Sequence, residues 1–195
     1  PLKSSGPGGK SKKLLHTAFK IDPDNLLDTL GRCALDYSDN KTSWYWWDSL
    51  YRTLQTEGVD LTGWCFNWLG QMKLAGKYQI ILDVWLPSFC SSNELRIKSR
   101  GLNMRGLCLD HLAKFDDALL SYQESLSIKK EIGDRYGESI ALNNIGQIYK
   151  AKRDIDLALF FLQKSLRISE EIDDKFGIGT TLNNISQIYV AKDDS

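Results

Sequence analysis

A 40-residue period in the second half of the chain constrains its fold more than any other feature. Gly137 to Ile155 and Gly177 to Ser195 agree at 11 of 19 positions, among them Leu142/Leu182, Asn143/Asn183, Asn144/Asn184, Ile145/Ile185, Gln147/Gln187 and Tyr149/Tyr189. A more diverged copy, Lys98 to Tyr136 against Glu138 to Phe176, keeps 14 of 39, including Asn103/Asn143, Gly106/Gly146, Ala118/Ala158, Ser125/Ser165 and Leu126/Leu166. Three copies in register imply one supersecondary unit stacked on itself, because a single unit buries its apolar face only against a neighbour.

Inside each copy the apolar residues recur at helical spacing: Leu142, Ile145 and Tyr149 in one segment, Ile155, Leu159 and Leu162 in the next. Each repeat is therefore expected to be two amphipathic helices. The first pair is expected over Glu94 to Leu112 and Phe115 to Ile132, and the second over Glu138 to Lys152 and Ile155 to Ile172. A third first-helix should cover Ile178 to Lys192, with Gly133 and Gly137 marking the turn between the first two pairs. Gly106 and Gly146 fall mid-helix although glycine costs about 1 kcal/mol there against alanine. A bulky side chain of the partner helix is expected against each, and Ala118 and Ala158 should allow the same close approach.

The run Leu142-Asn143-Asn144-Ile145-Gly146-Gln147-Ile148-Tyr149, followed by Asp154-Ile155 and Ala158-Leu159, resembles the tetratricopeptide signature of glycine, aromatic and alanine at fixed places. The period, with its linker Glu171 to Gly177, is similar to the longer repeats of kinesin light chains, spindle-orientation adaptors and bacterial signalling proteins. Leu109 stands where the aromatic belongs in the first copy, and Ser186 where glycine belongs in the last. The resemblance implies an all-α, right-handed α-solenoid of antiparallel helix-turn-helix repeats, without strands, that serves as a non-catalytic protein- or peptide-binding scaffold. It also implies a second reading, the sensor segment of a larger signalling protein whose NTPase, protease or transcription-regulator domain lies elsewhere. Pro1 in place of an initiating methionine, and a last repeat lacking its second helix, point to a fragment.

Three regions are expected: a flexible leader over 1–21, divergent repeats or capping helices over 22–93, and the repeats over 94–195. In the middle region Asp22-Pro23 starts a helix carrying Leu26, Leu30, Ala34 and Tyr37. A second should carry Trp44, Trp47, Leu50 and Leu54. A third is expected from Asp60 to Ala75, with Leu61, Trp64, Trp68 and Met72 in register and Gly76 closing it, and a fourth from Tyr78 to Pro87. All six tryptophans lie between Trp44 and Trp85, and their helical spacing favours a core over an aromatic ligand site, with Trp46 out of register.

Composition excludes several functions. The 25 Lys and Arg balance the 25 Asp and Glu, so no net field holds a nucleic acid or an anionic membrane. Cys33, Cys65, Cys90 and Cys108 make no close pair, which favours buried free thiols, and His16 and His111 stand apart, so no metal or other cofactor is expected. No apolar run is long enough to cross a bilayer, and a cytoplasmic location is expected. Gly6-Pro7-Gly8-Gly9-Lys10-Ser11 looks like a phosphate-binding loop, but Ser4 holds the place of its first glycine and no strand precedes it. Nucleotide binding at Lys10 and Ser11 is not expected.

The candidate site comes from an oddity of propensity. Asparagine is a poor residue for a helix interior, yet Asn103, Asn143 and Asn183 share one repeat position and Asn144 and Asn184 the next, with Gln147 and Gln187 one turn on. These amides, with Lys150 at the rim, are expected to line the inner wall and meet the backbone of an extended, roughly neutral partner. In the resembling family asparagine ladders bind peptide main chain there. Its charged clamp for a terminal carboxylate has no counterpart here. Asn144 and Asn184 equally suit bonds between neighbouring helices, and recent duplication alone would copy them. Finally, Ile178, Leu182, Ile185 and Tyr189 should leave a partly open apolar stripe through which the chain self-associates.

Overall fold

The computed structural model describes Thr17 and residues 62–74 and 76–193. The leader with Gly6 to Ser11, the helices expected around Leu26 and Trp47, Trp46, Cys33 and His16 lie outside the described residues. Among those described, every regular element is helical, and none is long and apolar enough to cross a membrane. They fall into two compact units, one ending at Trp85 and one starting at Leu86.

In the first unit α1 (Thr62–Leu74) buries Cys65, Leu69 and Met72, spaced four and three residues apart on one face. Gly76 closes it at φ +72°, a left-handed conformation that lets the Lys77 amide reach back to the Met72 carbonyl at 3.0 Å. Next come α2 (Tyr78–Ile80) and a π-helical turn, Ile81–Trp85, that buries Ile81 and Trp85. Trp85 thus serves the core, whereas the side chains of Trp64 and Trp68 are outside the description.

The second unit begins with α3 (Leu86–Cys90). A stop was expected at Pro87, but α3 carries the helix past the proline to Cys90. Five long helices follow: α4 (Leu95–His111), α5 (Phe115–Glu131), α6 (Arg135–Ala151), α7 (Ile155–Glu171) and α8 (Lys175–Asp193). Each packs on the next, and the first helices of successive pairs, α4, α6 and α8, also touch one another. The unit is an all-α solenoid of the tetratricopeptide type.

The period has a local cause. Helices α4 to α7 are 17 residues each, and three residues separate each from the next. At the centre of each turn one residue takes positive φ: Ala113 (57°), Gly133 (69°), Arg153 (62°) and Asp173 (54°). The amide that follows then bonds five residues back, as in Lys114 to Leu109, Asp134 to Lys129, Asp154 to Tyr149 and Asp174 to Ser169, at 2.8 to 2.9 Å. Two helices and two such turns make the 40-residue repeat.

Helices α6 and α8 start three residues before the expected Glu138 and Ile178. Gly137 and Gly177 are not turn residues. They sit in the first helical turn, where a Cβ would collide with the carboxylate of Asp134, which caps α6, or with that of Asp174. Asp134 Oδ1 accepts from the Gly137 amide at 2.8 Å, and Asp154 caps α7 through the Leu157 amide at 3.1 Å.

The mid-helix glycines face what was expected of them. A Cβ on Gly106 would lie 2.6 Å from the Tyr122 ring, and one on Gly146 2.7 Å from Leu162 Cγ. Ala118 and Ala158 are fully buried. Within each pair a buried serine ties the helices together: Ser125 Oγ donates to the Ser99 carbonyl at 2.7 Å, and Ser165 Oγ to the Ser139 carbonyl at 2.8 Å. The last helix buries Thr181, Asn184 and Ile188. Of the apolar stripe expected there, Ile185 packs against Ala158, Leu162 and Ile188, while Leu182 and Tyr189 are about half exposed, at 49% and 48%.

Candidate functional site

Because α4, α6 and α8 lie side by side, residues 40 apart in sequence become neighbours across helices. The asparagines use this. Asn144 Nδ2 donates to Asn103 Oδ1 at 3.3 Å, and Asn184 Nδ2 donates to Asn143 Oδ1 at 2.9 Å. Of the two uses weighed for Asn144 and Asn184, the geometry displays the helix-to-helix bond. It also orients the amides of Asn103 and Asn143, whose Nδ2 groups make no hydrogen bond among the described residues. Asn183, exposed on α8, likewise makes none through its side chain.

Two further candidates meet farther along the same helices. Lys150 Nζ donates to Gln187 Oε1 at 2.6 Å, so the lysine bridges α6 to α8. Gln147 is half-buried and makes no side-chain bond among the described residues. In the first copy the place of Lys150 is taken by Asp110, whose carboxyl burial pushes up against the opposing pull of His111.

Beside the ladder lies a pocket of about 260 Å³ between α6 and α8, with its floor on α7. Asn143 and Asn144 form one wall, Ser165 and Ser169 line the floor, and Asp174 and Gly177 stand opposite. Tyr136 and Phe176 also line it, and both are largely exposed, at 54% and 81%. Reading the repeats for what they share passed over this pocket. Its signal is a difference between copies, Ser169 standing where the preceding copy has Lys129.

The remaining polar groups hold the scaffold. Arg135 bonds Glu138 at 2.7 Å and also Glu171, which Arg167 meets at 3.1 Å. Those hydrogen bonds, Arg135 first, keep the Glu171 carboxyl below its usual range. Lys152 reaches Asp116 across the first and second pairs. Cys65 and Cys108 are buried and outside any disulfide, and burial pushes the half-buried Cys90 thiol up to about 11, well away from a reactive thiolate. Among the described residues no group of three or more His, Cys, Asp or Glu is placed to hold a metal ion.

Comparison with known proteins agrees with this geometry. No curated protein matches the chain. Residues 140–172, which span most of α6 and all of α7, match the family model of the tetratricopeptide repeat. The α6–α7 pair is thus similar to a tetratricopeptide repeat, and α4, α5 and α8 continue its 40-residue geometry on either side.

Proposed function

We propose that this solenoid is a protein-binding scaffold whose first-helix face holds an extended peptide segment through Asn103, Asn143, Asn183, Gln147 and Gln187. Asn144 and Asn184 fix the ladder, and Lys150 secures its far end through Gln187. One observation carries the reading: each inter-helix bond consumes the Oδ1 of Asn103 or Asn143 and leaves its Nδ2 to donate. A row of preoriented donors suits backbone carbonyls, which every peptide has. The spacing also fits, since packed helices stand about 8–10 Å apart and an extended chain rises about 3.3 Å per residue. Roughly every third carbonyl would then meet one rung.

The test separates binding from folding by choosing rungs with different structural duties. Asn183 makes no side-chain bond, so Asn183→Ala should weaken capture of a selected linear peptide while the protein melts as before. Asn143→Ala also strips Asn184 of its acceptor, and should cost about 1–3 kcal/mol of stability in addition. Undiminished peptide affinity in both variants would contradict the proposal.

A further inference from the structure

The two interfaces between successive first helices differ at several positions, and one of these differences, beside the start of the second helix, removes a charge. Between α4 and α6 the space beside the cap of α6 is filled by Lys129, which is 5% exposed and whose ammonium lies 3.4 Å from Asp134 Oδ2. One repeat later, between α6 and α8, Lys129 is replaced by Ser169, while Asp134 is kept as Asp174. The surroundings correspond closely: a Cβ on Gly137 would strike Lys129 Nζ and Asp134 Oδ2, and one on Gly177 would strike Asp174 Oδ2 and Ser169 Oγ. Truncation of the lysine to serine coincides with the pocket of about 260 Å³. The Asp174 carboxylate makes no side-chain hydrogen bond or ion pair among the described residues, and it is the single charged group in the lining.

We infer that this pocket receives a basic side chain from an extended partner segment, with the cationic head at Asp174 where the chain's own Lys129 meets Asp134. The chemistry of the walls matches such a guest. Tyr136 and Phe176 offer aromatic faces to the methylene stem and to the cation. A carboxylate would meet Asp174 as a like charge, and a short side chain would leave the cavity unfilled. The inference rests on the groove reading above for the path of the partner backbone, because Asn143 both belongs to the ladder and lines the pocket.

The probe is a linear peptide selected against the full chain from a displayed random library, labelled with fluorescein and titrated by anisotropy. Selection should converge on one lysine or arginine, and replacing it by alanine should weaken binding about tenfold, the loss of one charge-assisted hydrogen bond. Ser169→Lys should plug the pocket as Lys129 plugs its own, cause a similar loss, and make the alanine peptide no worse than the original. Asp174→Asn, which removes the charge at nearly constant size and breaks no side-chain bond among the described residues, should erase the preference for the basic residue, and it carries the test if Ser169→Lys disturbs folding. Peptides without a basic residue, or a basic preference that survives Asp174→Asn, would overturn the inference. If those peptides still depend on Asn143 and Asn183, the ladder stands and the pocket assignment alone falls. Loss of the basic preference in Asp174→Asn without any effect of the asparagine changes would support the pocket and remove the ladder. Selection of a large apolar residue instead, or of no peptide at all, would overturn the pocket assignment.

Discussion

Gly146 has little tolerance for a side chain, because Leu162 occupies the space where its Cβ would be. Helix propensity favours replacement by about 1 kcal/mol at most, whereas overpacking a filled contact costs about 1–3 kcal/mol. Gly146→Leu should therefore lower the urea midpoint, and an unchanged midpoint would mean the contact is not there. The opposite sign is expected at Arg153, an exposed residue at φ +62°. A left-handed L-residue costs roughly 1–2 kcal/mol, and glycine gives back about half of the relief as unfolded-chain entropy. Arg153→Gly should raise the midpoint by about 0.5–1 kcal/mol. Tyr122, packed on Gly106, supplies a pH signature. Burial, with the Asp110 and Cys108 charges adding to it, pushes its phenol far above the ordinary 10. The unfolded chain then releases this proton first as pH rises past 10, so stability falls there. Tyr122→Phe should flatten that fall, and an unaltered alkaline slope would count against the buried phenol.

At the scale of the element, the sequence made some boundaries legible and hid others for a physical reason. Periodic apolar residues identified all five long helices, and Gly106 and Gly146 announced their close contacts, because a missing side chain mid-helix has few other uses. The starts of α6 and α8 were misplaced because glycine usually reads as a breaker. At Gly137 and Gly177 it instead makes room for an aspartate carboxylate three residues back, Asp134 or Asp174. The recurring left-handed turn position was hidden too, since glycine occupies it only at Gly133 while Ala113, Arg153 and Asp173 adopt the same geometry. The repeated serines carry an element-scale prediction. Ser125→Ala deletes one buried bond between the helices of its pair and should cost about 1 kcal/mol, and Ser165→Ala, which deletes the matching bond and a 3.4 Å contact with Thr181, should cost at least as much. With no partners shared, the double variant should lose the sum to within about 0.5 kcal/mol, and a much larger loss in urea melts would reveal coupling between repeats.

For the whole molecule, stacking turns sequence identity into spatial adjacency, and the candidate site arises from that. Asn103, Asn143 and Asn183 were visible as a repeated anomaly, because asparagine recurs where helices disfavour it. Their division of labour with Asn144 and Asn184 was not visible, since it depends on which amide faces the next helix. Lys150 looked like a free rim charge until α8 brought Gln187 to it. The pocket was least legible of all, for its signal lies in differences between copies, such as Ser169 in place of Lys129, and not in what they share. The direct measurement of the central claim is a nitrogen–proton correlation spectrum of the asparagine side chains, recorded while the selected peptide is titrated in. The Nδ2 resonances of Asn103, Asn143 and Asn183 should move together and saturate with the binding curve. A peptide that saturates while those resonances stay fixed, with shifts confined to the backbone amides around the exposed Leu120 and Phe160 of α5 and α7, would contradict a ladder that reads backbone.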